Sequence, residues 1–300
     1  MDKNQLKDKV IIVTGGNSGI GYEATKVFCK EGAHVVMASR NKEKATKAIQ
    51  TLKSEISGAS LTYLPLNLAD LSSVREFVKM FNDSFDHLDV LVNNAGVLSL
   101  PYQKTKDGFE YQMGINHLGH FALSGLLIPA LKKAKKARIV TVSSLLHKNG
   151  HIDFANFQFE KSRSYKPDTA YARSKLANLL FGLELDRKLK AAKLDIQSLV
   201  VHPGISRTNL FTEMKKDFIQ RQIMKVIQVF SSEPKEGALP MIEAVMNLSY
   251  QGGDYIGPSG LGSVKGKPKK SKYAEHASSL STAKMLWNLS ETLTKVTYKF

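Results

Sequence analysis

Six short runs in this chain are apolar on both faces, and longer amphipathic stretches separate them. The runs are Val10–Thr14, His34–Ala38, Leu61–Leu66, Val90–Asn93, Arg138–Val142 and Ile196–Val201. A strand with one solvated face alternates apolar and polar residues, whereas a strand covered on both faces does not. The pattern therefore predicts a sheet held between two helical layers. A short seventh strand is expected near Asp254–Ile256. Helices are expected from the glycine-rich stretch after the first run to about Glu31, and over Lys42–Glu55, Leu71–Phe85, Phe109–Leu131, Thr169–Ala192, Thr208–Val229 and Lys235–Asn247. Alternating β and α elements specify an α/β, doubly wound parallel sheet of about seven strands, with right-handed crossovers placing helices on both faces. Ligands of such sheets bind beyond the strand C-termini.

The 300 residues contain no internal repeat and no low-complexity linker, so one domain is expected over residues 1–300. Within it, a substrate-covering segment is expected at about 206–232 and a C-terminal tail at about 258–300. The single cysteine, Cys29, excludes an internal disulfide and by default is a buried structural thiol. The formal net charge of +16 raises the question of a nucleic-acid or anionic-membrane partner. The lysines gather in two local runs, Lys132–Arg138 and Lys265–Lys272, with no nucleic-acid-binding motif beside either. A solvated basic surface is the simpler reading, and no nucleic-acid partner is expected. The opening MDKNQLKDKV lacks the apolar core of a secretory signal. The longest apolar stretch, Phe121 to Leu131, is too short to span a bilayer and is interrupted by Ser124, Gly125 and Pro129. No transmembrane segment and a cytoplasmic location are expected; peripheral membrane contact and a homo-oligomer stay open.

The first strand runs into Thr14-Gly15-Gly16-Asn17-Ser18-Gly19-Ile20-Gly21. Spaced glycines where a strand turns into a helix permit a tight turn and let backbone approach a diphosphate closely. The helix N-terminus then offers free N–H groups and a partial positive charge. Gly15, Asn17, Ser18, Gly19, Ile20 and Gly21 are thus expected to contact a dinucleotide, the Rossmann arrangement. The second strand ends Met37-Ala38-Ser39-Arg40, without the acidic residue that would bind a free ribose 2′-hydroxyl. A guanidinium suits a 2′-phosphate, so Arg40 favours NADP(H) over NAD(H). Asn67, with Leu68 beside it, lies at the third strand's tip, where it can meet an adenine edge; Asp70 is read as a helix N-cap. The fourth strand ends Asn93-Asn94-Ala95-Gly96. The small residues there let the adenosine half lie against the backbone, and Asn93 serves equally well to tie neighbouring loops.

The fifth strand ends Val142-Ser143-Ser144, which puts a hydroxyl at its tip. Further on, Tyr171 and Lys175 sit four residues apart on a predicted helix and share one face. A free tyrosine titrates near pH ~10, and a neighbouring ammonium favours its phenolate. Taken alone, the pair also describes an ordinary amphipathic helix with a half-buried tyrosine.

The order Thr-Gly-x3-Gly-x-Gly, Asn-Asn-Ala-Gly, Asn116, Ser-Ser, Tyr-x3-Lys and Pro203-Gly204 resembles the short-chain dehydrogenase/reductase superfamily over nearly the whole chain. Ile115-Asn116-His117-Leu118-Gly119-His120-Phe121, Ser174-Lys175-Leu176-Ala177-Asn178, Val201-His202-Pro203-Gly204, Gly257-Pro258-Ser259-Gly260 and Leu286-Trp287 look like its retinol-dehydrogenase-like branch. The resemblance implies a catalytic set of Asn116, Ser144, Tyr171 and Lys175. Tyr171 would be the general acid/base. Lys175 would lower its pKa and hold the nicotinamide ribose. Ser144, chosen over Ser143 by its match to the family position, would orient the substrate oxygen. Asn116 would anchor a water linking Lys175 to solvent. Asn94, Ala95, Gly96, Pro203, Gly204, Ile205 and Thr208 would join the cofactor site. The implied activity is an NADP(H)-dependent hydride transfer with a small-molecule alcohol or carbonyl substrate. Two other readings are a carbon–carbon double-bond reductase of the protochlorophyllide-reductase type and a non-catalytic NADP-binding sensor. The sequence departs from the family pattern at Asn67, where Asp is common, and in the long spacing from Ser144 to Tyr171.

His147 and His151 lack a third ligand at suitable spacing, so no metal site is expected. His117 and His120 are read as packing residues. Leu210, Phe211, Met214 and Phe218 lie in the covering segment, and Met285-Leu286-Trp287 are expected to fold the tail back onto the body.

Overall fold

The computed structural model describes residues 4–160, 165–204 and 233–300. Eight strands form one sheet in the order β3-β2-β1-β4-β5-β6-β7-β8. They are β1 Val10–Thr14, β2 His34–Ser39, β3 Ser60–Pro65, β4 Val90–Asn93, β5 Ala137–Val142, β6 Ile196–Val201, β7 Tyr255–Pro258 and β8 Pro268–Lys270. The first seven pair parallel and β8 is antiparallel to β7. The seven parallel strands are those expected, and β8 adds an antiparallel edge. β8 reads Pro-Lys-Lys, three residues with no apolar pattern, and it forms only because Ile256, Gly257 and Pro258 offer it an edge.

The double covering follows from the alternation of side chains along each strand. Ile11 and Val13 of β1, with Val35 and Met37 of β2, enter one core; Val10 and Ile12, with Val36 and Ala38, enter the other. The first core packs under α1 Gly19–Lys30, α2 Lys42–Glu55 and α6 Pro234–Met246. The second packs under α3 Leu71–Ser84, α4 Gly119–Leu131, α5 Pro167–Ala191 and α7 Leu280–Thr294. Asn41 caps α2 through Lys44 N–H, and Asp70 caps α3 through Ser72 N–H, as expected for Asp70.

The predicted helix Phe109–Leu131 divides. Buried Glu110 accepts from the N–H groups of Gln112 and Met113 and starts the first turn at Tyr111. A π-helical turn, Gly114–Leu118, then leads into α4. Such turns concentrate at functional sites, and this one contains Asn116. The tail folds back through Leu286 and Trp287, whereas Met285, expected to join them, stays exposed. Trp287 is buried and meets the rings of Phe121 and Phe181 at 5.1 and 6.0 Å. The predicted helix Thr208–Val229 and the covering segment 206–232 lie outside the described residues. Among the described residues, no helix is long and apolar enough to cross a membrane.

Candidate active site

The strand order reverses between β1 and β4, and the crevice there is where a doubly wound sheet binds its ligand. A cavity of about 840 Å³ opens at that point. Gly15, Asn17, Ser18, Gly19, Arg40, Asn67, Leu68, Ala95 and Gly96 line it. Gly15 turns the chain with φ +67°, and its N–H donates to the Ala38 carbonyl at 2.8 Å. At Gly21 a Cβ would stand 2.5 Å from the Gly15 carbonyl oxygen and from Asn94 Nδ2, so only glycine lets the helix start this close to the turn. Asn94 Nδ2 reaches the Thr14 carbonyl at 2.7 Å, which locks the fourth strand tip against the first. Ile20 is buried beneath the turn.

Unlike α2 and α3, α1 begins without a side-chain cap: Ser18 makes no capping hydrogen bond and the first turn has no acidic residue. Its N-terminal N–H groups and partial positive charge therefore face the crevice. The donor chemistry and the closeness of the backbone fit a dinucleotide diphosphate.

Arg40 is exposed and its guanidinium donates to Tyr111 Oη at 3.3 Å. Lys44 and Lys47, from the first turns of α2, line the same cavity with Tyr22 and Tyr111. These four went unread in the sequence. A signal for the lysines exists: they follow Arg40 at helical spacing. Asn67 turns its side-chain oxygen to Ala69 N–H at 3.2 Å while lining the cavity. Asn93 is buried, donating to Ser124 Oγ at 2.9 Å, which is its tying role.

Farther along the strand tips, β5 and α5 bring Ser144, Tyr171 and Lys175 together. Tyr171 is buried, and Ser144 lies near enough for its hydroxyl to pull against the effect of that burial on the phenol. Ser143 is directed elsewhere: its hydroxyl donates to the Lys175 carbonyl at 2.7 Å and so fixes β5 to α5. This division of labour leaves Ser144 as the serine that faces the tyrosine. The Lys175 ammonium stands 5.7 Å from the centre of the Tyr171 ring and donates to the Val142 carbonyl at 3.1 Å.

The expectation that Lys175 lowers the Tyr171 pKa is not met in this geometry. Burial pushes the phenol up to about 12, and the Ser144 hydroxyl is what opposes it. Burial also brings Lys175 down to about 8. Both shifts disfavour the charged form, as low-dielectric surroundings must. Tyr171 is therefore a protonated phenol at neutral pH, poised to donate.

Asn116 braces the other wall. Its Oδ1 accepts from Val97 N–H at 2.8 Å, and its Nδ2 donates to the Val97 carbonyl at 3.0 Å and to Ser174 Oγ at 2.9 Å. A Cβ on Gly96 would lie 3.1 Å from Asn116 Oδ1 and 3.6 Å from Lys175 Nζ, so this strand tip abuts the pair. Pro203 and Gly204 follow β6 at the same end, with Gly204 N–H on His202 Nδ1 at 3.3 Å. Ile205 and Thr208 lie outside the described residues. His147 carries its own contacts: Nδ1–H donates to the Ser144 carbonyl at 2.7 Å and Nε2 accepts from Ala274 N–H at 3.2 Å.

The sequence model of the short-chain dehydrogenases matches residues 9–218. The chain belongs to the short-chain dehydrogenase family. Mouse retinol dehydrogenase 14 is 37% identical over 305 residues, covering 97% of this chain and 87% of that protein. Human retinol dehydrogenase 11 is 42% identical over 234 residues, covering 78% and 71%. Human polyprenol dehydrogenase is 38% identical over 257 residues, covering 83% and 76%. The solved structure of an uncharacterized protein from Mycobacterium paratuberculosis superposes with a TM-score of 0.81 at 37% identity, covering 98% and 96%. L-sorbose reductase from Gluconobacter frateurii, solved with NADPH and L-sorbose, shares the fold, with a TM-score of 0.65 at 21% identity over 85% of this chain and 96% of that one. This short-chain dehydrogenase thus falls in the retinol-dehydrogenase-like branch. It is an oxidoreductase of the alcohol/carbonyl class that acts on small molecules.

Proposed function

We propose that this short-chain dehydrogenase uses NADP(H) and interconverts a lipophilic alcohol and its carbonyl, with Tyr171 as general acid/base. The convergence of Ser144, just beyond β5, on Tyr171 and Lys175, which share one face of α5, carries the reading. A bound nicotinamide dinucleotide supplies or accepts the hydride at the substrate carbon. The chain supplies the proton and the positioning. In reduction the Tyr171 phenol gives its proton to the carbonyl oxygen; in oxidation it takes the proton back. Ser144 orients that oxygen and stabilises its developing charge. Lys175 holds the ribose hydroxyls, and Asn116 fixes the Gly96–Val97 backbone around it.

Arg40, Lys44 and Lys47 on one cavity wall support the NADP(H) preference, because three cations suit a phosphate monoester better than a hydroxyl. Relatives named for retinol and for polyprenol support the lipophilic substrate class. The test follows dinucleotide oxidation optically against lipophilic aldehydes and ketones, with NADPH and NADH in parallel. NADPH should be preferred. Arg40→Ala should weaken NADPH about tenfold or more, as removal of one charge-assisted hydrogen bond does, and leave NADH unchanged. An unchanged preference would overturn the cofactor assignment. Tight NADPH binding with no turnover on any carbonyl would favour a sensor instead.

A further inference from the structure

His120 is 1% exposed and lies one turn beyond Asn116, where it was expected only to pack. Its two ring nitrogens reach the two halves of the site. Nδ1 stands 3.0 Å from the Asn116 carbonyl oxygen, and Nε2 stands 2.9 Å from Thr14 Oγ1. Thr14 is the last residue of β1, directly before the glycine turn, and it is fully buried.

The positions of the hydrogens follow by elimination. Carbonyl oxygens only accept, so Nδ1 must carry the proton that reaches Asn116. Burial brings the His120 pKa down to about 4, and the Lys175 charge adds to that shift, so the ring is neutral and Nε2 is an acceptor. The Thr14 hydroxyl already accepts from Asn94 N–H at 2.8 Å and from Ala95 N–H at 2.9 Å. Its single proton then goes to Nε2. The other candidate acceptor, the Val92 carbonyl, is longer at 3.2 Å and takes Asn94 N–H at 3.0 Å.

We infer that His120 is a positioning residue that couples the dinucleotide turn to the catalytic wall. Through Nε2 it orients the Thr14 hydroxyl, which holds the Asn94–Ala95 backbone against the cavity. Through Nδ1–H it fixes the carbonyl of the π-helical turn, whose Asn116 side chain braces Val97 and Ser174. One neutral ring thereby sets the spacing between where the dinucleotide lies and where Tyr171 and Lys175 stand. The role rests on the site being a nicotinamide dinucleotide site; wild-type binding and turnover of NADPH test that premise separately.

Two variants divide the ring. His120→Asn keeps a nitrogen donor where Nδ1 stands and loses the reach to Thr14. His120→Gln keeps an acceptor where Nε2 stands and loses the donor to Asn116. His120→Asn should raise the NADPH Kd about tenfold, with kcat at saturating cofactor within about twofold of wild type; His120→Gln should do the reverse. Parallel changes in both constants, or no change in either, would overturn the coupling. Should neither variant fold, nitrogen NMR of the wild-type protein at neutral pH still decides. A protonated Nδ1 with bare Nε2 is required; the opposite tautomer would sink the proposal.

Discussion

Lys175 directs its ammonium at the Val142 carbonyl oxygen, 3.1 Å away, and Asn178 Nδ2 meets the same oxygen at 3.0 Å. Among the described residues no carboxylate shares in that contact; the buried cation is met by one backbone carbonyl and the face of the Tyr171 ring. Folding must carry the desolvation of this charge, and the depressed pKa of about 8 is its signature. The sign of the linkage follows. The folded chain binds the lysine proton less tightly than the unfolded chain, so the cost is fully present below about pH 8. It fades as pH rises toward 10.5, where the unfolded lysine also loses its proton.

Lys175→Met should therefore stabilise the protein at pH 7, by on the order of 3 kcal/mol, while abolishing turnover. Thermal melts of wild type and variant compared from pH 7 to pH 10 check this. The gap should be widest at pH 7 and close as pH rises. A gap that widens with pH would reverse the assignment of the cost to Lys175.

Tyr171→Phe and Ser144→Ala separate proton supply from orientation. Tyr171→Phe removes the proton donor and should lower kcat about 10³-fold with the dinucleotide Kd unchanged. Ser144→Ala removes the group that opposes burial at Tyr171. It should lower kcat about 10²-fold and move the phenol pKa further up. Single-turnover rates with a fixed carbonyl substrate and a pH titration of tyrosine absorbance read both effects.

The strand runs and the glycine turn were legible because local chemistry dictates them. Seven strands fall within a residue or two of their expected positions, since most are apolar and buried on both faces; β3, at the sheet edge, buries only Leu61 fully. Gly15 and Gly21 declared themselves by a backbone need that no side chain can meet. β8 was not legible, because Lys269 and Lys270 pair only when β7 presents its edge. Lys44 and Lys47 look like any exposed helix lysines until the cavity is in view. His120 looked like packing because its partners are 4 and 106 residues away along the chain. Hydrogen-bond accounting at such distances needs the fold first.

The long spacing from Ser144 to Tyr171 has a fastening that the sequence did not disclose. Arg173 Nε donates to the His151 carbonyl at 3.1 Å, and Nη1 donates to those of Asn156 and Phe157 at 2.7 and 3.2 Å. The guanidinium also lies 4.0 Å from the centre of the Phe159 ring. Arg173→Met keeps the stem and strands those carbonyls, at a cost of about 3 kcal/mol. Because the fastened segment adjoins Ser144 rather than the glycine turn, KM for the carbonyl should rise several-fold while NADPH binding holds. Urea unfolding and steady-state kinetics together check the pair of effects.

The C-terminal helix should act as a stabiliser of the catalytic face rather than as part of the cofactor site. Trp287 is 3% exposed, stacks near Phe181 of α5 and stands 4.6 Å from the Tyr298 ring. Lys188 Nζ lies 4.8 Å over its face. Val296 and Tyr298 then close over Gly125 of α4, where a Cβ would meet them at 2.8 and 2.6 Å. Trp287→Ala opens a cavity between three elements and should cost about 4 kcal/mol. Met285, on the same helix but 53% exposed, provides the control: Met285→Ala should stay within about 0.5 kcal/mol of wild type. Denaturant midpoints measure both. The dinucleotide Kd of folded Trp287→Ala should match wild type, since no residue of α7 lines the described cavity; a Kd that rises as the stability falls would place the tail's influence inside the site.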